Sequence, residues 1–309
     1  MAENSVDFQG VLAEIQDEID PFFGQGKNAG YIPALSDVPG DKFGMAVHTV
    51  EGEEFLIGDA QDDFSIQSIS KLFTLMQVLG FDDIDIWSRV GREPSGTAFN
   101  SLVQLEYEKG IPRNPFINAG AIVVTDILAS RSADASRRIG DYYRMLSGNL
   151  SNRVDEEVAL SEQDHGYRNA ALANLMRSFD NIQTPIPDLL DIYFRQCALT
   201  TSCADLAKAA LPLACGGYSP IAQKQVLSTR DTKRINALLL TCGLYDAVGS
   251  FAYKVGLPAK SGVGGGIVAV LPNKFSVAVW SPELDSYGNS LVGSKALELF
   301  TTKTDLSIF

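Results

Sequence analysis

Two pairs of β-forming segments, one near each end of the chain, enclose a long stretch of helical periodicity, and this arrangement restricts the fold more than any other feature. Residues 43–50 and 54–58 are β-compatible runs separated by an acidic turn at Glu51 and Gly52, the pattern of a hairpin. Residues 265–271 and 275–281 flank the turn Pro272-Asn273-Lys274 and give a second one. Between them, from about residue 69 to 251, apolar side chains recur at helical spacing over 72–79, 125–131, 162–177, 186–198, 203–213 and 233–241. An amphipathic helix over 6–23, with Val6, Val11, Ile15 and Ile19 among charges, and a helix over 290–302 lie at the ends. Strands supplied by both ends, terminal helices to cover them and a helical insertion between imply an α+β fold with an antiparallel sheet. The expected organisation is a single domain over 1–309, with an α/β part (about 1–67 and 252–309) and a helical part (about 68–251). A functional site is expected at their junction.

Charge removes several classes of partner. The chain carries 25 basic and 38 acidic residues, a net charge of -13, and no Lys/Arg cluster interrupts that field, so neither nucleic acid nor an anionic membrane surface is expected as a partner. Apolar runs such as 119–124 and 266–271 are far shorter than the roughly 20 residues that span a bilayer. Residues 1–10 are acidic and polar where a secretory leader needs a basic start and an apolar core, which points to a cytoplasmic protein. Cys197, Cys203, Cys215 and Cys242 lack the paired spacing of a zinc site and read as small buried side chains. With only His48 and His165 besides, no metal and no cofactor is expected, and a Ser-His-Asp triad has little material. The acidic cluster Asp82, Asp83 and Asp85 lacks the spacing of a calcium loop and reads as a solvated loop.

Catalysis must then rest on other groups. Ser68 and Lys71 stand three apart in FSIQSISKLFTLM, where a loop becomes an apolar helix, so both side chains can face the same way across one turn. A serine at a helix start meets free backbone N–H groups, and a lysine whose pKa is lowered by burial can take its proton. Further along, Lys260-Ser261-Gly262 precedes three more glycines within five residues and then the strand-like IVAVLP. Ser-x-x-Lys followed by Lys-[Ser/Thr]-Gly is the combination of β-lactamases and penicillin-binding proteins. Small residues at a sheet edge suit the approach of a substrate carbonyl to the backbone. A phosphate-binding loop would have a helix after the glycines, whereas here a strand follows.

Read together, YIPAL from Tyr31, FSIQSISK from Phe64, RVGREPSG from Arg89, FNSLVQLE from Phe99, GIPRNPFINAGAI from Gly110, RNAALA from Arg168 and VGLPAKSGVGGGI from Val255 strongly resemble the serine-dependent glutaminases. The resemblance covers nearly the whole chain. It implies a β-lactamase/penicillin-binding-protein-like fold, hydrolysis of the side-chain amide of free L-glutamine through a serine acyl-enzyme, and, by family habit, a homo-oligomer (dimer or tetramer). It places the nucleophile on Ser68, with Lys71 helping to activate it, and the substrate contacts on Tyr31, Ser68, Asn118, Glu162, Asn169, Tyr193, Tyr245 and Val263. Lys260 of the Lys-Ser-Gly motif joins the expected substrate-binding set.

The chemistry of a zwitterionic substrate fits these types. Its ammonium needs an anion, for which Glu162 is suited, and its α-carboxylate needs donors, which Asn118, Asn169 and the Tyr31 hydroxyl supply. The backbone N–H groups of Ser68 and Val263 are the candidate oxyanion hole. Tyr193 and Tyr245 are both candidates to pass protons between Ser68, Lys71 and the departing ammonia. Two other readings compete: a β-lactam-sensitive peptidase or β-lactamase, which acts outside the cytoplasm, and an amino-acid-binding protein that has lost turnover, against which the retained Ser68 and Lys71 argue.

Overall fold

The computed structural model describes residues 6–81, 83–96 and 102–309. Helices α1 (Phe8–Glu18) and α2 (Pro33–Ser36) lead into the hairpin of β1 (Gly44–Thr49) and β2 (Glu54–Gly58). The short strand β3 (Phe64–Ser65) and a 3-10 turn (Gln67–Ile69) run directly into α3 (Ser70–Leu79). Helices α4 (Leu102–Tyr107), α5 (Asn118–Ala129), α6 (Ala135–Ser147), α7 (Glu156–Asp164), α8 (Tyr167–Ser178) and α9 (Ile186–Cys197) follow. Strand β4 (Thr200–Thr201) pairs with β3, then α10 (Cys203–Ala214), a small hairpin of β5 (Tyr218–Ser219) and β6 (Lys224–Gln225), α11 (Thr229–Cys242) and α12 (Val248–Lys254) close the helical stretch. Strands β7 (Ala259–Ser261), β8 (Gly266–Leu271) and β9 (Phe275–Trp280) and helix α13 (Leu291–Thr304) complete the chain.

The two predicted hairpins join in one five-stranded sheet, ordered β2-β1-β9-β8-β7 and antiparallel throughout. Pairing β1 with β9, in the register Gly44 opposite Trp280, brings the two ends of the chain together. The inner strands are buried on both faces, which is why GIVAVL and FSVAVW read as nearly unbroken apolar runs. Side chains still alternate: Ile267, Ala269, Val277 and Val279 face a core shared with α1 and α13, while Val268, Val270, Ala278 and Trp280 face the larger helical core. Helix α10 lies on the latter face, its alanines Ala207 and Ala210 buried there, and Ser202 caps its first turn by accepting from Asp205 N. The sheet is thus sandwiched between terminal helices and the helical stretch, as the α+β reading anticipates.

Where expectation and structure differ, local sterics supply the reason. The helix expected over 162–177 is two helices, α7 and α8, separated at His165 and Gly166. The helix expected over 6–23 ends at Glu18, and Pro21 sits in a separate 3-10 turn. Asp83 of the acidic cluster pairs with Arg131 at 2.7 Å, whereas Asp82, like Phe99, Asn100 and Ser101 of the FNSLVQLE segment, lies outside the described residues. Among the described residues no single helix is long and apolar enough to cross a membrane.

Candidate active site

A cavity of about 280 Å³, near the lower end of the range for small-molecule sites, opens between the sheet edge and the helices. Tyr31, Ser68, Asn118, Glu162, Asn169, Tyr193, Tyr245 and Val263, eight positions the sequence reading singles out, line it together. Lys71 and Lys260 lie behind the wall, each 1% exposed.

Ser68 sits in the 3-10 turn whose first residue, Gln67, has φ +49°, a left-handed conformation costing a non-glycine residue about 1–2 kcal/mol. The glycine run explains how that turn is held. A Cβ on Gly262 would lie 2.7 Å from Ile66 O and 3.2 Å from Ser68 N, and one on Gly264 would collide with Ser65 O. Only glycines let the loop after β7 press its backbone against the backbone carrying the serine. Neither the Ser68 N–H nor the Val263 N–H meets a backbone acceptor among the described residues.

Lys71 points from the first turn of α3 into the interior and donates to Asn118 Oδ1 at 2.6 Å and Phe116 O at 3.3 Å. Asn118, at the start of α5, donates in turn to Asn169 Oδ1 at 3.0 Å on α8. Burial lowers the amine to about 8, against the opposing pull of Cys197 and Glu162. The lysine is therefore poised to exchange a proton near neutrality, where an exposed one would stay charged.

The two tyrosines are not equivalent. Burial raises the Tyr245 hydroxyl to about 12, while the nearby hydroxyls of Ser68 and Ser261 pull the other way. Tyr193 is buried against the Cys197 thiol, with its hydroxyl raised well above the usual range chiefly by burial. Tyr245 itself has φ +49°, a second strained residue in the site. Lys260 supports it from behind. Its Nζ donates to Gly243 O at 3.0 Å and Ser261 O at 2.6 Å and lies 4.8 Å from the Tyr245 ring centroid. The lysine thus joins the sheet edge to the turn that carries the tyrosine and does not line the cavity.

Glu162, in the last turn of α7, is raised to about 7 by desolvation, with Lys71 and a hydrogen bond from Gln67 holding it lower than burial alone would. A half-buried carboxylate that is costly to ionise invites a cationic ligand group. Gln67, His165, Gly166, Arg168 and Cys197, none of them expected in the site from the sequence, complete the wall with Ile32. Gln67 and Arg168 lie inside quoted segments, immediately beside Ser68 and Asn169, but nothing in the sequence says that their side chains face the cavity. Among the described residues no group of three or more His, Cys, Asp or Glu side chains is placed to hold a metal ion.

Comparison with known proteins agrees across the whole length. A family model for glutaminase matches residues 26–309. A glutaminase of Caulobacter vibrioides is 56% identical over 298 residues, covering 96% of this chain and 97% of that protein. Among solved structures, the probable glutaminase YbaS superposes with a TM-score of 0.90 at 34% identity, covering 97% of this chain and 98% of that one. The Bacillus subtilis glutaminase YbgJ, solved as a covalent complex with 5-oxo-L-norleucine formed from 6-diazo-5-oxo-L-norleucine, gives a TM-score of 0.87 at 34% identity, covering 97% of this chain and 99% of that one. The architecture is the β-lactamase-like fold of these bacterial glutaminases. On sequence and structure alike, the chain belongs to the glutaminase family.

Proposed function

We propose that the protein hydrolyses the side-chain amide of free L-glutamine to L-glutamate and ammonia through an acyl-enzyme on Ser68. The observation that carries this reading is the convergence of Ser68, the Tyr245 hydroxyl and the cavity, with the buried Lys71 behind Asn118, in a member of the glutaminase family. Ser68 Oγ attacks the amide carbon, and its proton passes to Tyr245 and the network that includes Lys71. The nearness of the Ser68 hydroxyl to that of Tyr245 favours this tyrosine over Tyr193 as the relay. The carbonyl oxygen, as it becomes an oxyanion, is received by the N–H groups of Ser68 and Val263. Collapse expels ammonia, which takes up the relayed proton; a water then gives a proton to the same network as it attacks the ester carbon, the C–Oγ bond breaks, and Ser68 Oγ takes that proton back as glutamate is released. Glu162 receives the substrate ammonium, while Asn118, Asn169 and Tyr31 shape the remainder of the pocket. Lys260 acts on Tyr245 and not on substrate.

A coupled glutamate-release assay comparing glutamine, asparagine and γ-glutamyl compounds tests the reading. The expected result is turnover of glutamine by the wild type and its near-complete loss in Ser68→Ala. Glutamine that binds but is never hydrolysed by the wild type would refute it. The assembly is proposed to be a homo-oligomer in the cytoplasm; strongly exposed Val103, Tyr107 and Tyr167 on the mutually packed α4 and α8 offer apolar surface for it. Light scattering that reports a monomer would contradict the first part, and cell fractionation tests the second.

A further inference from the structure

A second cavity, of about 390 Å³, is walled by α12, α13 and the loop 285–289. Leu244 and Ala247, flanking Tyr245 in the chain, line it, while Tyr245 itself lines the first cavity. The size suits a small molecule, and Phe22, Leu244, Phe251, Val255 and Leu291 give it an apolar lining. Asn289 stands among these side chains at 1% exposure, and neither its Oδ1 nor its Nδ2 has a hydrogen-bond partner among the described residues. Buried polar groups are nearly always paired, so a whole carboxamide unserved on a cavity wall marks a place that another molecule completes. Its own loop does not need it. Asp285 Oδ1 accepts from Tyr287 N at 2.8 Å and Asn289 N at 3.1 Å, and Asp285 N donates to Asn289 O at 2.8 Å.

A carboxamide presents a donor and an acceptor side by side, and the group that satisfies both at once is another amide. A carboxylate only accepts, and would leave Oδ1 unpaired. Charge around the cavity is balanced, because Lys254 and Lys295 are matched by Asp285 and Glu298, with Lys295 Nζ 3.3 Å from Glu298 Oε1. Neither a cation nor an anion is therefore favoured. We propose that this cavity binds a small neutral molecule that turns an amide or lactam edge to Asn289 from an apolar body, and that its occupancy acts on the turn carrying Tyr245. The route is short. An added Cβ on Gly288 would lie 3.9 Å from both the Tyr245 ring and the Val263 side chain, so the loop bearing Asn289 packs on two residues of the first cavity. Tyr245 is held at φ +49°, and a ligand filling the space beside its turn opposes relaxation out of that conformation. The binding claim stands alone, whereas the effect on Tyr245 rests on the proposed amidohydrolase reading.

NMR titration with benzamide, benzoate and acetophenone, followed by ammonia-release kinetics, tests the proposal. Of the three probes only benzamide is neutral and carries both a donor and an acceptor, so it should bind the wild type at least about fivefold more tightly than the other two, the worth of a neutral hydrogen bond. Asn289→Leu, which keeps the volume and removes the amide, should abolish that preference, with its melting temperature unchanged or raised because no side-chain hydrogen bond is lost. Ser294→Phe, which fills the cavity from α13, should lose benzamide binding with Asn289 still in place. Saturating benzamide should raise kcat of the wild type on glutamine by about twofold or more and leave Asn289→Leu unaffected. Equal binding of the three probes, benzamide binding that survives Asn289→Leu, or no binding at all would overturn the site. Binding through Asn289 with kcat unchanged or lowered would overturn the effect on Tyr245. A wild type that releases no ammonia from glutamine would remove the amidohydrolase reading, and the effect on Tyr245 with it, while the binding result would stand.

Discussion

Replacing Glu162 by Gln should make the protein more stable and less active at the same time. The carboxyl is raised from 4.5 to about 7 because it is desolvated in the cavity wall, with Lys71 and Gln67 offsetting only part of that cost. Below pH 4.5 it is neutral in folded and unfolded chains alike and costs nothing. As pH climbs from 4.5 through about 7 the unfolded chain ionises freely and the folded one does so against its environment, so stability is lost over that window. At about 1.36 kcal/mol per pH unit the gap amounts to about 3 kcal/mol, which the partly wet position of the side chain trims to about 2–3 kcal/mol. For a chain of this size, at roughly 2 °C per kcal/mol, Glu162→Gln should melt about 4–6 °C above the wild type at pH 8. The two proteins should melt together near pH 4.5. In the same variant kcat/KM for glutamine should fall by about 2–5 kcal/mol equivalent, the scale for a desolvated charge that loses its partner. Nα-acetylglutamine, which has no ammonium to offer, should be a poor substrate for the wild type and lose far less in the variant. Calorimetric melts across pH, paired with ammonia-release kinetics on both substrates, make the comparison. A variant less stable than the wild type at pH 8, or equal losses on both substrates, would refute the assignment.

Other expectations are simpler to state. Gly262→Ala would push a methyl group to 2.7 Å from Ile66 O beside the serine turn, so kcat should drop by at least about tenfold with circular dichroism little changed; full activity would show that the close approach is unnecessary. The kcat/KM of the wild type should rise with pH through about 7 to 8, since Glu162 must be anionic to hold the ammonium and Lys71, lowered to about 8, must lose its proton to accept another. An optimum at acidic pH would point to a carboxylate base instead. Dialysis against a chelator should leave the rate unchanged, and a loss that zinc or magnesium restores would overturn metal independence.

The fold was legible because its signals are local. Hairpins at residues 43–58 and 265–281 announce themselves by β-forming runs around short turns, and sharing one sheet is the economical way to bury both. The break at Gly166 was missed, although a glycine inside a helical pattern is a legitimate warning, because apolar periodicity continues on either side of it. The Phe194 ring that a glycine at this position admits comes from another helix and leaves no trace in the local pattern. The chemical types of the site were readable through motif and resemblance, but their division of labour was not. That Lys260 packs beneath the Tyr245 ring and does not line the cavity is a matter of three-dimensional placement. The same holds for the left-handed Gln67 and Tyr245, since neither residue type advertises a positive φ.

The central claim, a covalent intermediate on Ser68, is most directly met by mass spectrometry of the protein after reaction with 6-diazo-5-oxo-L-norleucine. Intact mass should increase by one 5-oxo-norleucine adduct per chain, peptide mapping should place it on Ser68, and Ser68→Ala should remain unmodified. An adduct on any other residue, or equal labelling of Ser68→Ala, would contradict the account.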